Sequence, residues 1–115
     1  MHELSIARNI LELVDATCHE QGYSGVETVR VNVGKASGIM TDALVFAFNC
    51  AKDETLSVNA TLEIHEIPVG GRCRECNSDF ISQETIVLNC PRCGGAAFEI
   101  TTGHELEIFE LEVDG

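Results

Sequence analysis

Two pairs of cysteines, Cys73-x2-Cys76 and Cys90-x2-Cys93, are separated by thirteen residues and constrain this chain more than any other feature. Each short spacing can fold into a tight turn that aims both sulfurs the same way. A gap of hairpin length brings the two turns together, which suits a tetrahedral zinc ion. In the second pair, Cys90-Pro91-Arg92-Cys93-Gly94-Gly95, the proline presets φ and the glycines admit the positive φ that closes a turn around a metal. The other reading of the pairs is two disulfides, which need an oxidising compartment. The opening Met1-His2-Glu3-Leu4 has neither the basic nor the apolar region of a secretory signal, so a cytoplasmic setting with reduced thiols is expected.

A chain of 115 residues allows one domain plus a small module. No apolar run approaches the ~20 residues needed to cross a bilayer. The formal net charge of −12 repels polyanions, so neither nucleic acid nor an anionic membrane is an expected partner. Most of these carboxylates serve solubility. Four thiolates would close a zinc coordination sphere and leave no position for a reacting water. No G-x4-G-K-[ST] phosphate loop is present. The chain therefore reads as a binding protein and not an enzyme. A zinc-ribbon interaction adaptor and a C-x-x-C dithiol oxidoreductase are the competing classes, and two matched pairs favour metal over redox chemistry.

Between residues 4 and 21, Leu4, Ala7, Ile10, Leu11, Val14 and Cys18 recur at helical spacing, and Gly22 is a good terminator. Val29, Val31 and Val33 alternate with Thr28, Arg30 and Asn32, which predicts a strand over 26–33 with one wet face. A second helix is expected from Thr41 or Asp42 to Lys52, capped by one of those two side chains, with Leu44, Phe48 and Ala51 inward. Ala60, Leu62 and Ile64 predict a strand over 60–67, and Pro68-Val69-Gly70-Gly71 reads as a boundary. Residues 70–102 hold too few large apolar side chains to fold without a metal. From His104 to Val113 the apolar alternation slips phase between Ile108 and Leu111, as at a bulge or a sheet edge.

The segment has no core of its own, so it is returned to the first sheet. The expected fold is α+β: a small mixed three-stranded sheet with two helices, plus an inserted zinc-ribbon-like module. The boundaries are 1–69 together with 103–115 for the discontinuous first domain and 70–102 for the module.

His2 is the second chemical signal. An α-amine, the amide nitrogen of residue 2 and the His2 imidazole form fused five- and six-membered chelate rings. Such nitrogen sets suit planar Ni(II) or Cu(II). A histidine at position 2 can equally be a plain exposed side chain. His19, His65 and His104 are further candidate ligands, each more simply read as a surface residue. Cys18 and Cys50 read as small buried hydrophobes.

Several segments together resemble the hydrogenase maturation nickel chaperones of the HypA/HybF family. They are Met1-His2-Glu3-Leu4-Ser5; Val33-Gly34-x-x-Ser37-Gly38-Ile39 followed by Ala43-Leu44-x-Phe46-Ala47-Phe48; and Leu62-Glu63-Ile64 with Pro68. To these add Cys73-x2-Cys76, Cys90-Pro91-x-Cys93-Gly94, and Gly103-x-Glu105-Leu106-x-Ile108-x-x-Leu111-Glu112-Val113. The likeness covers essentially the whole chain. Thr41-Asp42 stands where members often have Pro-Glu, and Ala36 where many have leucine; both touch packing or helix initiation.

The resemblance implies a two-domain nickel metallochaperone. Nickel would be bound by His2 with the Met1 α-amine and the backbone nitrogens of His2 and Glu3. Cys73, Cys76, Cys90 and Cys93 would hold structural zinc. Glu3 would take part in transfer or partner contact. The implied partners are the maturation GTPase of the same pathway and the large subunit of a [NiFe]-hydrogenase.

Overall fold

The computed structural model describes the backbone of residues 2–114 and the side chains of residues 3–114. Helix α1 spans His2–Gln21 and buries Ala7, Ile10, Leu11, Val14 and Cys18, the stripe that its periodicity predicts. Gly22, at φ +81°, ends it, and the Tyr23 N–H donates to the Cys18 carbonyl at 2.9 Å, a Schellman closure. The α2 helix covers Thr41–Ala51 and buries Leu44, Ala47 and Phe48. The two helices pack on each other.

Strand β1 (Gly25–Gly34) lies between β2 (Thr61–Ile67) and β6 (Leu106–Asp114) in a three-stranded sheet. Its Val29, Val31 and Val33 are fully buried. On the other face, Arg30 joins all three strands. Its Nε donates to Glu63 of β2 at 2.9 Å and its Nη1 to Glu110 of β6 at 2.9 Å, while Nη2 reaches Glu112 of β6. One delocalised cation on the central strand thus offsets carboxylates on both neighbours. The phase slip read in β6 falls on an edge strand, where Ile108, Leu111 and Val113 are all half-buried.

A second three-stranded sheet has the order β4-β3-β5, with β3 at Val69–Cys73, β4 at Asp79–Ser82 and β5 at Phe98–Thr102. Central β3 pairs antiparallel with both neighbours, Gly71 lying opposite Phe80 on one side and Ile100 on the other. The chain divides into two compact units, residues 1–31, 39–65 and 107–115 in one and 32–38 and 66–106 in the other.

Three local expectations need correction. Val69-Gly70-Gly71 is not a break but the start of β3, separated from β2 only by Pro68. These glycines answer packing rather than turning: a Cβ at Gly71 would sit 2.4 Å from the Glu99 carbonyl oxygen and 2.8 Å from the Phe80 ring. Neither Thr41 nor Asp42 caps α2. Its N-cap is Met40, which makes no side-chain cap bond, and the Met40 N–H instead donates to the Glu3 carboxylate at 3.1 Å. Cys50 is exposed, because the α2 stripe at Leu44, Ala47 and Phe48 turns it outward, whereas Cys18 is fully buried as expected.

Within the second unit, residues 34–36 are stitched to the segments on either side of the cysteine module. The Gly34 N–H donates to the Glu105 carbonyl at 2.8 Å, Lys35 to Ile67 at 2.8 Å and Ala36 to Gly103 at 2.7 Å. A Cβ on Gly34 would lie 2.1 Å from the Gly103 carbonyl, a distance that only backbone displacement could relieve. Gly34→Ala is therefore expected to cost about 1–3 kcal/mol. Thermal melting should show it, and an unchanged melting temperature would refute the close approach.

Candidate metal centre

Each cysteine pair sits in a turn built by its own neighbours. Cys73 ends β3, and its N–H donates to the Ser78 carbonyl at 2.9 Å across the first turn. The second turn repeats the device, with the Cys90 N–H bonded to the Gly95 carbonyl at 2.7 Å and the Gly94 N–H to the Cys90 carbonyl at 2.8 Å. The residue after each pair is left-handed: Asn77 at φ 56° and Gly94 at φ +78°. Glycine adopts this region without penalty, and asparagine is among the side chains that tolerate it best. Gly94 was legible as such a residue from sequence. Asn77 was missed, and its signal is an asparagine directly following C-x2-C.

The two turns are also tied to each other. Arg74 N–H donates to the Ala97 carbonyl at 2.7 Å, and the Ala97 N–H returns to the Glu75 carboxylate at 3.3 Å. The four sulfurs converge as a result, all within 4.8 Å of one another. Cys73 Sγ lies 3.6 Å from Cys93 Sγ, and Cys76 Sγ lies 3.9 Å from Cys90 Sγ. Disulfide bonds need about 2.05 Å, so all four thiols are free. A tetrahedron with ~2.3 Å zinc–sulfur bonds has edges of about 3.8 Å, which brackets well with the two observed separations.

Electrostatics favour the same use. Backbone N–H groups point at the sulfurs: Cys76 N–H toward Cys73 Sγ at 3.5 Å, Arg92 toward Cys90 at 3.4 Å and Gly95 toward Cys93 at 3.4 Å. Such donors favour thiolate over thiol. The Ser78 backbone N–H leads in drawing the Cys76 thiol down to about 7, and the backbone N–H groups of Cys93 and Arg92 lower Cys90. The Gly95 N–H acts on Cys93 in the same sense. There the adjacent thiols of Cys73, Cys90 and Cys76 outweigh it and push Cys93 up to about 12. Anions this close cannot all form together unless a cation neutralises them. Four soft thiolates in a tetrahedron select zinc or iron over hard cations. The donor set, the spacing and the backbone N–H groups all fit zinc.

Around the sulfurs lies the small core of this unit. Cys73, Cys90 and Phe80 are buried together, with Cys76, Val87 and Phe98 packed against them. The Phe80 and Phe98 rings meet edge to face at 5.7 Å between centroids.

The other predicted site residues are not gathered into a metal-sized cluster among the described residues. His19 is exposed in the last turn of α1. His65 is exposed on β2, where its Nε2 bonds the Glu63 carboxylate and its ring lies edge-on to Phe109. His104 is exposed in the residues just before β6. Met1 and the His2 side chain, on which the nickel expectation falls, lie outside the described residues. Glu3 is in the first turn of α1, bonded to Met40 as above.

Known proteins share this arrangement along its whole length. The family model for HypA, described as hydrogenase/urease nickel incorporation metallochaperone, matches residues 1–113. A hydrogenase maturation factor HypA from Geotalea daltonii is 40% identical over 113 residues, 98% of this chain and 99% of that protein. Its counterpart from Roseiflexus sp. is 36% identical over 114 residues, 99% of this chain and 93% of that protein. Among solved structures, the nickel metallochaperone HypA from Helicobacter pylori superposes with a TM-score of 0.69 at 26% identity, covering 98% of this chain and 97% of that one. With that match, the four convergent thiols, the two helices and the two three-stranded sheets all agreeing, this chain belongs to the HypA family of hydrogenase-maturation nickel metallochaperones, a family of metal carriers and not of enzymes.

Proposed function

We propose that this protein binds one Ni(II) at its N-terminus and hands it on for insertion into the large subunit of a [NiFe]-hydrogenase. The ligands would be the His2 imidazole, the Met1 α-amine and the backbone nitrogens of His2 and Glu3. Structural zinc would sit on Cys73, Cys76, Cys90 and Cys93. The observation that carries this reading is the family match over residues 1–113, which includes Met1-His2-Glu3.

Helix α1 begins at His2, so the nitrogens of residues 2 and 3 lie in a first turn that the helix's own carbonyl ladder does not use. Nickel is cargo here, and nitrogen ligation suits a site that must both hold and release a planar ion. The working partners would be the maturation GTPase of the pathway and the hydrogenase subunit, in the cytoplasm. No described helix is long and apolar enough to cross a membrane. Residues 70–102 form the zinc-held module in this reading, and residues 1–69 with 103–115 carry nickel.

The zinc assignment is tested by Cys90→Ala. Three thiolates cannot close the tetrahedron, and structural zinc supplies about 10–16 kcal/mol of folding free energy in small modules. The variant is expected to lose stoichiometric zinc and the amide dispersion of residues 70–102, while helix signals of the first unit persist. A module that stays folded after complete chelation would overturn the assignment.

For nickel, His2→Ala and acetylation of the Met1 amine are each expected to cut Ni(II) affinity strongly without changing zinc content. Affinity should fall on acidification, because metal competes with protons for an imidazole and an amine with reference pKa values of about 6.5 and about 7.7–8.0. Calorimetric titration from about pH 8 to about pH 6 measures this. A flat profile would rule the amine–imidazole site out.

A further inference from the structure

The pairing of β3 with β5 ends at Cys73 opposite Phe98, and the next residues outward are Arg74 and Ala97. The Arg74 N–H still donates to the Ala97 carbonyl at 2.7 Å. In a continuing antiparallel pair the Ala97 N–H would return a bond to the Arg74 carbonyl. The strand has stopped, however, and residues 74–76 form the first cysteine turn. The Ala97 N–H goes instead to the Glu75 carboxylate at 3.3 Å.

The same carboxylate lies over Gly95 of the second turn. A Cβ on Gly95 would stand 2.0 Å from Glu75 Oε2, 2.6 Å from Glu75 Cδ and 3.3 Å from Cys93 Sγ. Glu75 thus occupies the space that a side chain at position 95 would need. That space adjoins Cys93, the most exposed of the four cysteines: Cys76 is half-buried, and Cys73 and Cys90 are buried. The clustered donor atoms are the four sulfurs and do not include a Glu75 oxygen.

We infer that Glu75 is a positioning residue of the four-cysteine centre, its carboxylate clamping the second cysteine turn to the first through the Ala97 N–H and covering the Cys93 side, so that bound zinc is released slowly. This rests on the zinc reading of the four cysteines. The ligands come as two pairs on separate turns, and a competing chelator reaches the exposed Cys93 sulfur most readily. A sulfur that detaches rebinds fast if its turn stays in place, because it remains at high effective concentration. Glu75 holds the turn by a bond that does not depend on the metal.

The test is the rate at which full-length, zinc-loaded protein gives up its metal to excess chromophoric chelator. Glu75→Ala removes the clamp and should speed release roughly fivefold, the worth of one ordinary hydrogen bond. Glu75→Gln keeps an acceptor oxygen at the same reach and should stay within about twofold of wild type. Gly95→Ala leaves Glu75 in the chain but displaces its flexible carboxylate, and should speed release as Glu75→Ala does. The new methyl also approaches Cys93 Sγ, so the double variant separates the two effects: in a Glu75→Ala background, Gly95→Ala should add little. In zinc-loaded protein, the Ala97 amide proton should exchange faster in Glu75→Ala and Gly95→Ala and at the wild-type rate in Glu75→Gln.

Glu75→Gln releasing zinc as fast as Glu75→Ala would overturn the inference in favour of an effect of charge. Full additivity of Glu75→Ala and Gly95→Ala would overturn it too, since residue 95 would then act on Cys93 directly. If wild-type protein holds no stoichiometric zinc, the zinc reading fails and takes this inference with it. Zinc-loaded variants that all release at the wild-type rate would sink the inference alone.

Discussion

Mutual repulsion among four thiolates is the constraint on which the second unit depends. Its buried core contains Cys73, Cys90 and Phe80, with Cys76 packed alongside, so the sulfurs are both the prospective ligands and much of the hydrophobic interior. Burial favours neutral thiols, and metal binding demands thiolates. The backbone N–H groups of Arg92, Ser78 and Gly95 tilt the balance toward ionisation, and the opposed directions of Cys76 and Cys93 show that the sulfurs cannot all follow without a cation. A dication held there would resolve the conflict and staple two loops that carry few other core residues. Metal binding and folding would then be one event.

The first unit is built on a different balance. Its core is the helix stripe from Ala7 to Cys18, the α2 residues Leu44 and Phe48, and Val29 and Val31 of β1. Apolar burial accounts for the assembly of this core. On the polar face of its sheet, Arg30 is placed among Glu63, Glu110 and Glu112. Near the start of α1, the Glu3 carboxylate accepts the Met40 N–H and so ties the first turn of α1 to the start of α2.

Much of this was legible in the sequence because the signals were local. Helical spacing placed α1, strict alternation placed β1, and Cys-x2-Cys spacing named the four sulfurs. Where sequence reasoning failed, the deciding contact came from far away. Gly70 and Gly71 read as a break because glycine usually signals turns; in the fold they are strand residues that let Glu99 and Phe80 approach closely. Thr41 and Asp42 read as caps because capping is usually local, yet the bond to the α2 N-cap comes from Glu3. Cys50 read as buried by residue type, and the orientation of α2 exposes it.

The sequence by itself determined the identity of the four clustered thiols, the position and length of the helices and central strand, and the acidic character of the chain. These follow from residue type and short-range periodicity, which chain connectivity enforces. Tertiary structure alone decided that the four sulfurs stand 3.6 and 3.9 Å apart in their cross-turn pairs, that one arginine bridges three strands, and that Glu3 holds Met40. Those contacts join residues between 14 and 82 positions apart. No local propensity encodes a distance of that kind, because it is fixed only when packed elements bring remote backbones to a common register.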